Sequence, residues 1–241
     1  MDSSEYKTMT RVEDRHFWFV GKRAYITVLF DQFELGGKIL DVGCGTGGTT
    51  KLLTQYGDVV GIEQSPFAVR LARKRAITVR RGSANALPFP RGTFDMVTFL
   101  DVLYHRKVDV GRALSEAYRV LKPGGMLVVT DCVHPWLWSA HDEVMHARER
   151  FTKRGLEAAI AAAGFWIRRS SYLFACTFPL FVLSRMLMRR RKPTTFVQLP
   201  PRLINDALIL LLRWEAALLG CVNLPFGSSV AVVGEKPPKQ G

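Results

Sequence analysis

The sequence predicts a doubly wound α/β domain, and three observations carry that expectation. Short apolar runs alternate with amphipathic segments between residues 38 and 173, the pattern of a largely parallel sheet with helices on both faces. The first apolar run leads into a glycine cluster, Gly43, Gly45, Gly47 and Gly48, ahead of a helix, the setting that a ligand-binding loop requires. The 241 residues, 48% apolar and 23% charged, suit one globular core rather than a disordered chain.

The elements follow in order. Residues 13–33 read as a helix: Phe17, Trp18, Tyr25, Ile26, Leu29 and Phe30 form an apolar stripe, with Lys22 and Arg23 outside it. Gly36 and Gly37 break it. Residues 38–42 are a short apolar run, a buried strand. A helix over 49–56 and a second strand over 59–63 come next. Ser65 and Pro66 mark a helix start, since serine caps and proline fits the first helical position. That helix runs to about residue 75. Strands are expected over 77–80 and 94–100, and a helix capped by Asp109 over 110–121. Residues 122–125, Lys-Pro-Gly-Gly, read as a turn and 126–130 as the fifth strand. A helix over 152–163 is closed by Gly164. The last strand candidates are 165–173 and 229–233. Residues 175–225 do not fit the alternation and are expected to form a hydrophobic, basic, helical insertion before the last strand.

The glycine loop narrows the chemistry. Glycines let the backbone turn sharply and approach a ligand closely. About twenty residues on, Glu63 ends the second strand, where a carboxylate can accept from both hydroxyls of a ribose. Gly43, Gly45 and Gly48 also satisfy the dinucleotide spacing, so an NAD-dependent oxidoreductase stays open. Asp41 argues against it. An acid two residues before the first glycine is expected to point into the cleft, where it would repel a pyrophosphate and suit a cation.

These residues resemble the class I S-adenosylmethionine-dependent methyltransferases. The matching stretches are 41–47, the acid Glu63, 82–89, 94–105 and 119–125, in that order. The resemblance implies a Rossmann-like seven-stranded sheet whose last strand is antiparallel, with S-adenosyl-L-methionine across the carboxyl ends of the first strands. It places Asp41, Gly43, Cys44, Gly45 and Gly47 at the methionine end of the cofactor and Glu63 at the ribose. Ser83 and Ala84 face the adenine, Ser83 standing where many relatives carry an aspartate. Gln64 and Asp101 complete the expected cofactor set.

Methyl transfer is an in-line displacement whose hard chemistry the cofactor carries. The protein aligns the nucleophile and, for an alcohol or phenol, removes its proton. The polar stretch beyond the fifth strand holds His134, His141, Asp142, Glu143, His146, Arg148 and Arg150. His141, Asp142 and His146 are the candidate catalytic residues, with imidazole as the base. The spacing matches no recognised metal pattern, and no metal is expected. His105 reads as structural. The aromatic run 16–19 can lie over the cofactor or pack a helix onto the sheet, which makes 1–34 a candidate lid.

Net charge is +13, and 158–205 contains no acid. Within it an apolar run over 173–183 adjoins Arg185, Arg189, Arg190, Arg191 and Lys192. The run is too short to span a bilayer and is broken by Pro179. An apolar face beside arginines suits an anionic membrane surface. Nucleic acid is not favoured, because few stacking aromatics interleave the cations. No secretory signal is read at the N-terminus, and the four scattered cysteines read as reduced, mostly buried thiols. The expectation is one methyltransferase domain over 1–241, cytoplasmic and peripheral on the inner face of a membrane. It would act on a small hydrophobic, lipid-linked or glycan-linked acceptor. The rival to an enzyme is a non-catalytic membrane-associated module that keeps the cofactor fold.

Overall fold

The computed structural model describes residues 3–188 and 198–239. Two helices lead the chain, α1 (Ser3–Val12) and α2 (Phe17–Gln32). The helix predicted over 13–33 begins only at Phe17, because the His16 ring nitrogen accepts from the Trp18 N–H and caps the first turn.

The alternating region follows as β1 (Gly37–Val42), α3 (Gly48–Leu53), β2 (Gly57–Glu63), α4 (Pro66–Arg73), β3 (Thr78–Arg81), β4 (Phe94–Leu100), α5 (Val110–Val120) and β5 (Leu121–Cys132). The predicted caps are present. Ser65 accepts from Ala68 N–H at the head of α4, and Asp109 accepts from Arg112 N–H at the head of α5. The expected turn at 122–125 lies inside β5 as a bulge. Pairing with β4 jumps from Phe94↔Leu121 to Met96↔Met126, and Lys122 closes the bulge on Asp95 at 2.7 Å.

A short 3₁₀ turn (Pro135–Leu137), α6 (Ala140–Val144), α7 (Lys153–Ala162) and β6 (Trp166–Leu173) come next. The segment before the last strand is helical, α8 (Phe178–Met188) and α9 (Arg202–Cys221), and β7 (Ser229–Glu235) closes the sheet. The strand order is β3-β2-β1-β4-β5-β7-β6. β7 is antiparallel to both neighbours and the other pairs are parallel. This is the seven-stranded mixed sheet that the resemblance implies. The order in which strands are added to the sheet reverses between the parallel neighbours β1 and β4, which opens a crevice at their carboxyl ends.

Strand alternation divides the core between the two faces. Leu40, Val97, Phe99, Leu127 and Val129 pack with Leu114 and Ala117 of α5 and Leu156 and Ile160 of α7. Ile39, Met96 and Val128 face the other way, onto Ile26 and Phe30 of α2 and Leu53 of α3. Each such buried side chain contributes roughly 1.5–3 kcal/mol. A third cluster joins Tyr25 and Leu29 of α2 to Leu212, Ala216 and Leu219 of α9 and to Ala231 and Val233 of β7. α9 reaches α2 because position 21 is glycine: a Cβ there would sit 2.5 Å from Leu212 Cδ1. Of the cysteines, all free, Cys176 and Cys221 are exposed rather than buried.

Candidate functional site

The glycine loop has the backbone its sequence demands. Gly43, Gly45 and Gly47 take φ of 75°, 55° and 85°, a region that other residues enter only under strain. Gly47 N–H donates to Cys44 C=O at 2.9 Å, and α3 starts directly afterwards. The Cys44 side chain turns back over the sheet, its sulfur 2.8 Å from where a Gly61 Cβ would stand. Cys44 therefore offers the cleft its backbone, and burial pushes its thiol well above the usual range.

Asp41 is held rather than open. Thr50 and Thr98 donate their hydroxyls to its two oxygens at 2.6 and 2.7 Å, and only 2% of the residue is exposed. The expectation of a carboxyl projecting freely into the cleft is corrected: two threonines from α3 and β4 fix it in the wall. Burial raises its pKa and the two hydroxyls oppose that. Glu63 braces the loop, accepting from Gly45 N–H at 3.1 Å and Ser65 N–H at 2.7 Å. Two accepted bonds leave a carboxylate with capacity for hydroxyl donors. Gln64 is exposed, and its carbonyl accepts from Arg81. Ser83 caps a local turn by accepting from Asn85 N–H at 3.2 Å, and Ala84 packs beside it against the core.

Two carboxyls stand at the ends of β4 and β5. Asp101, at φ 60°, pairs with Lys22 of α2 at 2.6 Å. Asp131 is fully buried and accepts from Tyr104 N–H and Cys132 N–H at 3.2 and 2.8 Å. Burial, and then the charge of Asp101, push the Asp131 carboxyl well up. Lys22 and Asp131 are functional candidates that sequence reasoning missed. Lys22 was placed outside the apolar stripe, yet it is 7% exposed and lies against the Trp18 ring at 4.4 Å. The signal was available, because Trp18 and Lys22 are four residues apart and share a helix face.

The N-terminal segment lies over the loop. Met9 Cε is 3.5 Å from the Cβ position of Gly45. Thr46 donates to both Glu13 oxygens at 2.8 Å, and Arg75 pairs with Glu13 at 2.6 Å and with Asp14 at 3.1 Å. Asn205 of α9 ties this segment to the insertion, accepting from Phe17 N–H and donating to Arg15 C=O, both at 2.9 Å.

Beyond β5, α6 carries His141 and Asp142, and His146 follows at φ 54°. Asp142 is occupied. It accepts from Ser139 N–H and hydroxyl at 3.0 Å and from Arg150 at 2.9 Å, with Arg185 of α8 at 3.7 Å. Burial, then Arg185, lower the His141 pKa to about 4, below the near-neutral value expected from the sequence, so the ring is neutral at neutral pH but a weaker proton acceptor than an ordinary imidazole. His146 is exposed. His134 lies elsewhere, bonded to Gly227 C=O at 2.9 Å and stacked on Tyr172. His105, read as structural from the sequence, is pulled down to about 4 by burial.

The insertion leaves apolar side chains outside. Leu180, Leu183 and Met186 of α8 and Leu203, Ile204 and Trp214 of α9 are more than half exposed. No helix of the described residues is long and apolar enough to cross a membrane. The basic cluster at 189–192 lies outside the described residues.

A family model described as a methyltransferase domain matches residues 40–129. The chain is 34% identical over 146 residues to the demethylmenaquinone methyltransferase of Symbiobacterium thermophilum, covering 56% of this chain and 57% of that one. It is 36% identical over 115 residues to the 2-methyl-6-phytyl-1,4-hydroquinone methyltransferase 1 of Oryza sativa subsp. japonica, covering 45% and 34%. The chain thus spans between 34% and 57% of the length of these curated relatives. Among solved structures, a SAM-dependent methyltransferase from Thermotoga maritima superposes with a TM-score of 0.63 at 22% identity, over 97% of this chain and 95% of that one. That last likeness is one of fold.

Proposed function

Because the chain belongs to the class I S-adenosylmethionine-dependent methyltransferases, we propose that it transfers a methyl group to an oxygen of a small hydrophobic, lipid-linked or glycan-linked acceptor. The observation that carries this reading is the set of carboxyls at the carboxyl ends of four strands. Asp41, Glu63, Asp101 and Asp131 stand at or just past the ends of β1, β2, β4 and β5, Asp41 and Asp131 buried in the wall, with Lys22 the cation paired to Asp101. Such a wall supplies hydrogen-bond acceptors that suit a cationic ligand better than a pyrophosphate, which ranks an NAD-dependent oxidoreductase below the methyltransferase.

S-adenosyl-L-methionine, when bound, supplies a methyl group activated on a sulfonium. The backbone of Gly43, Cys44, Gly45 and Gly47 would line it, Glu63 would accept from its ribose, and Ser83 and Ala84 would flank its base. The described part of the N-terminal segment, residues 3–34, would serve as a lid: Met9 and Glu13 lie against the loop. His141 takes the proton from the acceptor hydroxyl at a ring nitrogen, with Asp142 and its two arginines fixing the short helix that carries the histidine. A second reading, methylation at a ring carbon, is favoured by the quinone-type acceptors in the names of the relatives. Deprotonating a quinol hydroxyl also makes the adjacent ring carbon nucleophilic.

The exposed apolar faces of α8 and α9 support docking on the inner face of a membrane, which would bring a lipid-linked acceptor within reach. Calorimetry with S-adenosylmethionine and with NAD tests the cofactor: binding of NAD alone would overturn the reading. Label transfer from the cofactor into a membrane and metabolite extract, with mass spectrometry of the product, identifies the acceptor and the methylated atom. Cofactor binding with no transfer to any acceptor would instead favour a non-catalytic module.

A further inference from the structure

The charge of Lys22 is costly at this place, and one carboxylate partner does not use all of it. It sits in the middle of α2, 7% exposed, where an aliphatic side chain would pack without the cost of removing an ammonium from water. Its partner, Asp101, is held in a left-handed backbone conformation at the end of β4, φ 60°, fixed by its own N–H on Thr130 C=O at 2.8 Å. Backbone strain of this kind is retained where geometry serves a site. An ammonium has three donors. Among the described residues Lys22 makes one hydrogen bond, to Asp101 Oδ2 at 2.6 Å, and the Trp18 ring covers another side at 4.4 Å. It therefore keeps donor capacity toward the crevice. Its charge also reaches Asp41 in the wall of the glycine loop.

This pair is the charge mirror of an α-amino acid. An ammonium and a carboxylate stand together at the carboxyl end of β4, beside the loop that meets the methionine end of the cofactor. A zwitterion entering there gives each buried charge a second opposite neighbour and leaves the net charge unchanged. We propose that Lys22 is the receptor for the carboxylate of the cofactor's methionine moiety, with Asp101 taking its ammonium. The inference rests on the methyltransferase reading and deepens it. It makes the N-terminal segment part of the binding site, because α2 supplies this cation.

Decarboxylated S-adenosylmethionine separates the roles, since it keeps the sulfonium and the ammonium and lacks only the carboxylate. Titration calorimetry of the full chain is expected to show the intact cofactor binding about 10–100-fold tighter than the decarboxylated one, the span of a charge-assisted hydrogen bond. Lys22→Met should remove that preference by weakening the intact cofactor alone, and Lys22→Arg should retain most of it. If the unmodified protein binds both ligands equally, the inference is overturned with no variant needed. If Lys22→Met weakens both ligands equally, Lys22 only supports Asp101 and the inference is also overturned. If the unmodified protein binds neither ligand, the cofactor reading itself fails, an outcome distinct from loss of preference.

Discussion

The Tyr25 hydroxyl donates to Glu215 Oε1 at 2.8 Å and ties α2 to α9 in the interior. The same carboxylate accepts from Ala175 N–H and Cys176 N–H at 2.8 and 2.7 Å. One buried acid thus fixes the start of the insertion, the helix that ends it and the helix that carries Lys22.

Glu215→Ala would leave two backbone N–H groups and a hydroxyl without their acceptor. The expected loss of stability is about 2–4 kcal/mol, given roughly 1–3 kcal/mol for each buried group left unsatisfied and partial relaxation around it. Tyr25→Phe, which removes one donor, should cost about 1 kcal/mol. Urea unfolding of both variants measures the two values. Equal losses would mean that the backbone bonds to Glu215 contribute nothing.

Asp41→Ala and Glu63→Ala should each weaken S-adenosylmethionine binding by about 1.5–3 kcal/mol in calorimetry. Because Asp41 is held by Thr50 and Thr98, its removal also frees two hydroxyls, so Asp41→Asn should be milder. Unchanged affinity in both alanine variants would remove the proposed cofactor site.

His141→Ala should slow turnover about 10²–10⁴-fold with cofactor affinity near normal, as expected for loss of a general base. Loss of binding alone would show a cofactor-side or structural residue. The pKa also sets a stability prediction. His141 and His105 lie at about 4 in the folded chain against an ordinary histidine value of 6.5. Between these values the unfolded chain binds protons that the folded chain does not. Their stability contribution is therefore full above about pH 6.5 and is lost as pH falls toward 4. Chemical denaturation at a series of pH values should show this slope, and His141→Gln should flatten it.

Membrane docking predicts cosedimentation with anionic vesicles at low salt and poor binding to neutral ones. Added salt should release the protein by screening. Replacing Arg189, Arg190, Arg191 and Lys192 by glutamine should reduce binding, each cation contributing about 1 kcal/mol near such a surface. Leu203→Ser with Trp214→Ser should reduce it through the apolar term. A protein that stays in the supernatant with anionic vesicles at low salt rules out lipid docking for α8 and α9.

The sequence by itself determined the sheet, the helix caps at Ser65 and Asp109, the glycine loop and the helical character of the insertion. These depend on local periodicity, capping chemistry and backbone freedom, which a few neighbouring residues express. Only the tertiary structure decided that Lys22, assigned to the outside of its helix, is buried on Asp101, and that Asp41 is walled in by two threonines. It alone joined Glu215 to Tyr25. Lys22 and Asp101 are 79 positions apart, and Tyr25 and Glu215 are 190 apart. Pairing between charged or polar groups so distant leaves no periodic trace, because it is set by which helix face meets which strand end once the apolar core has closed.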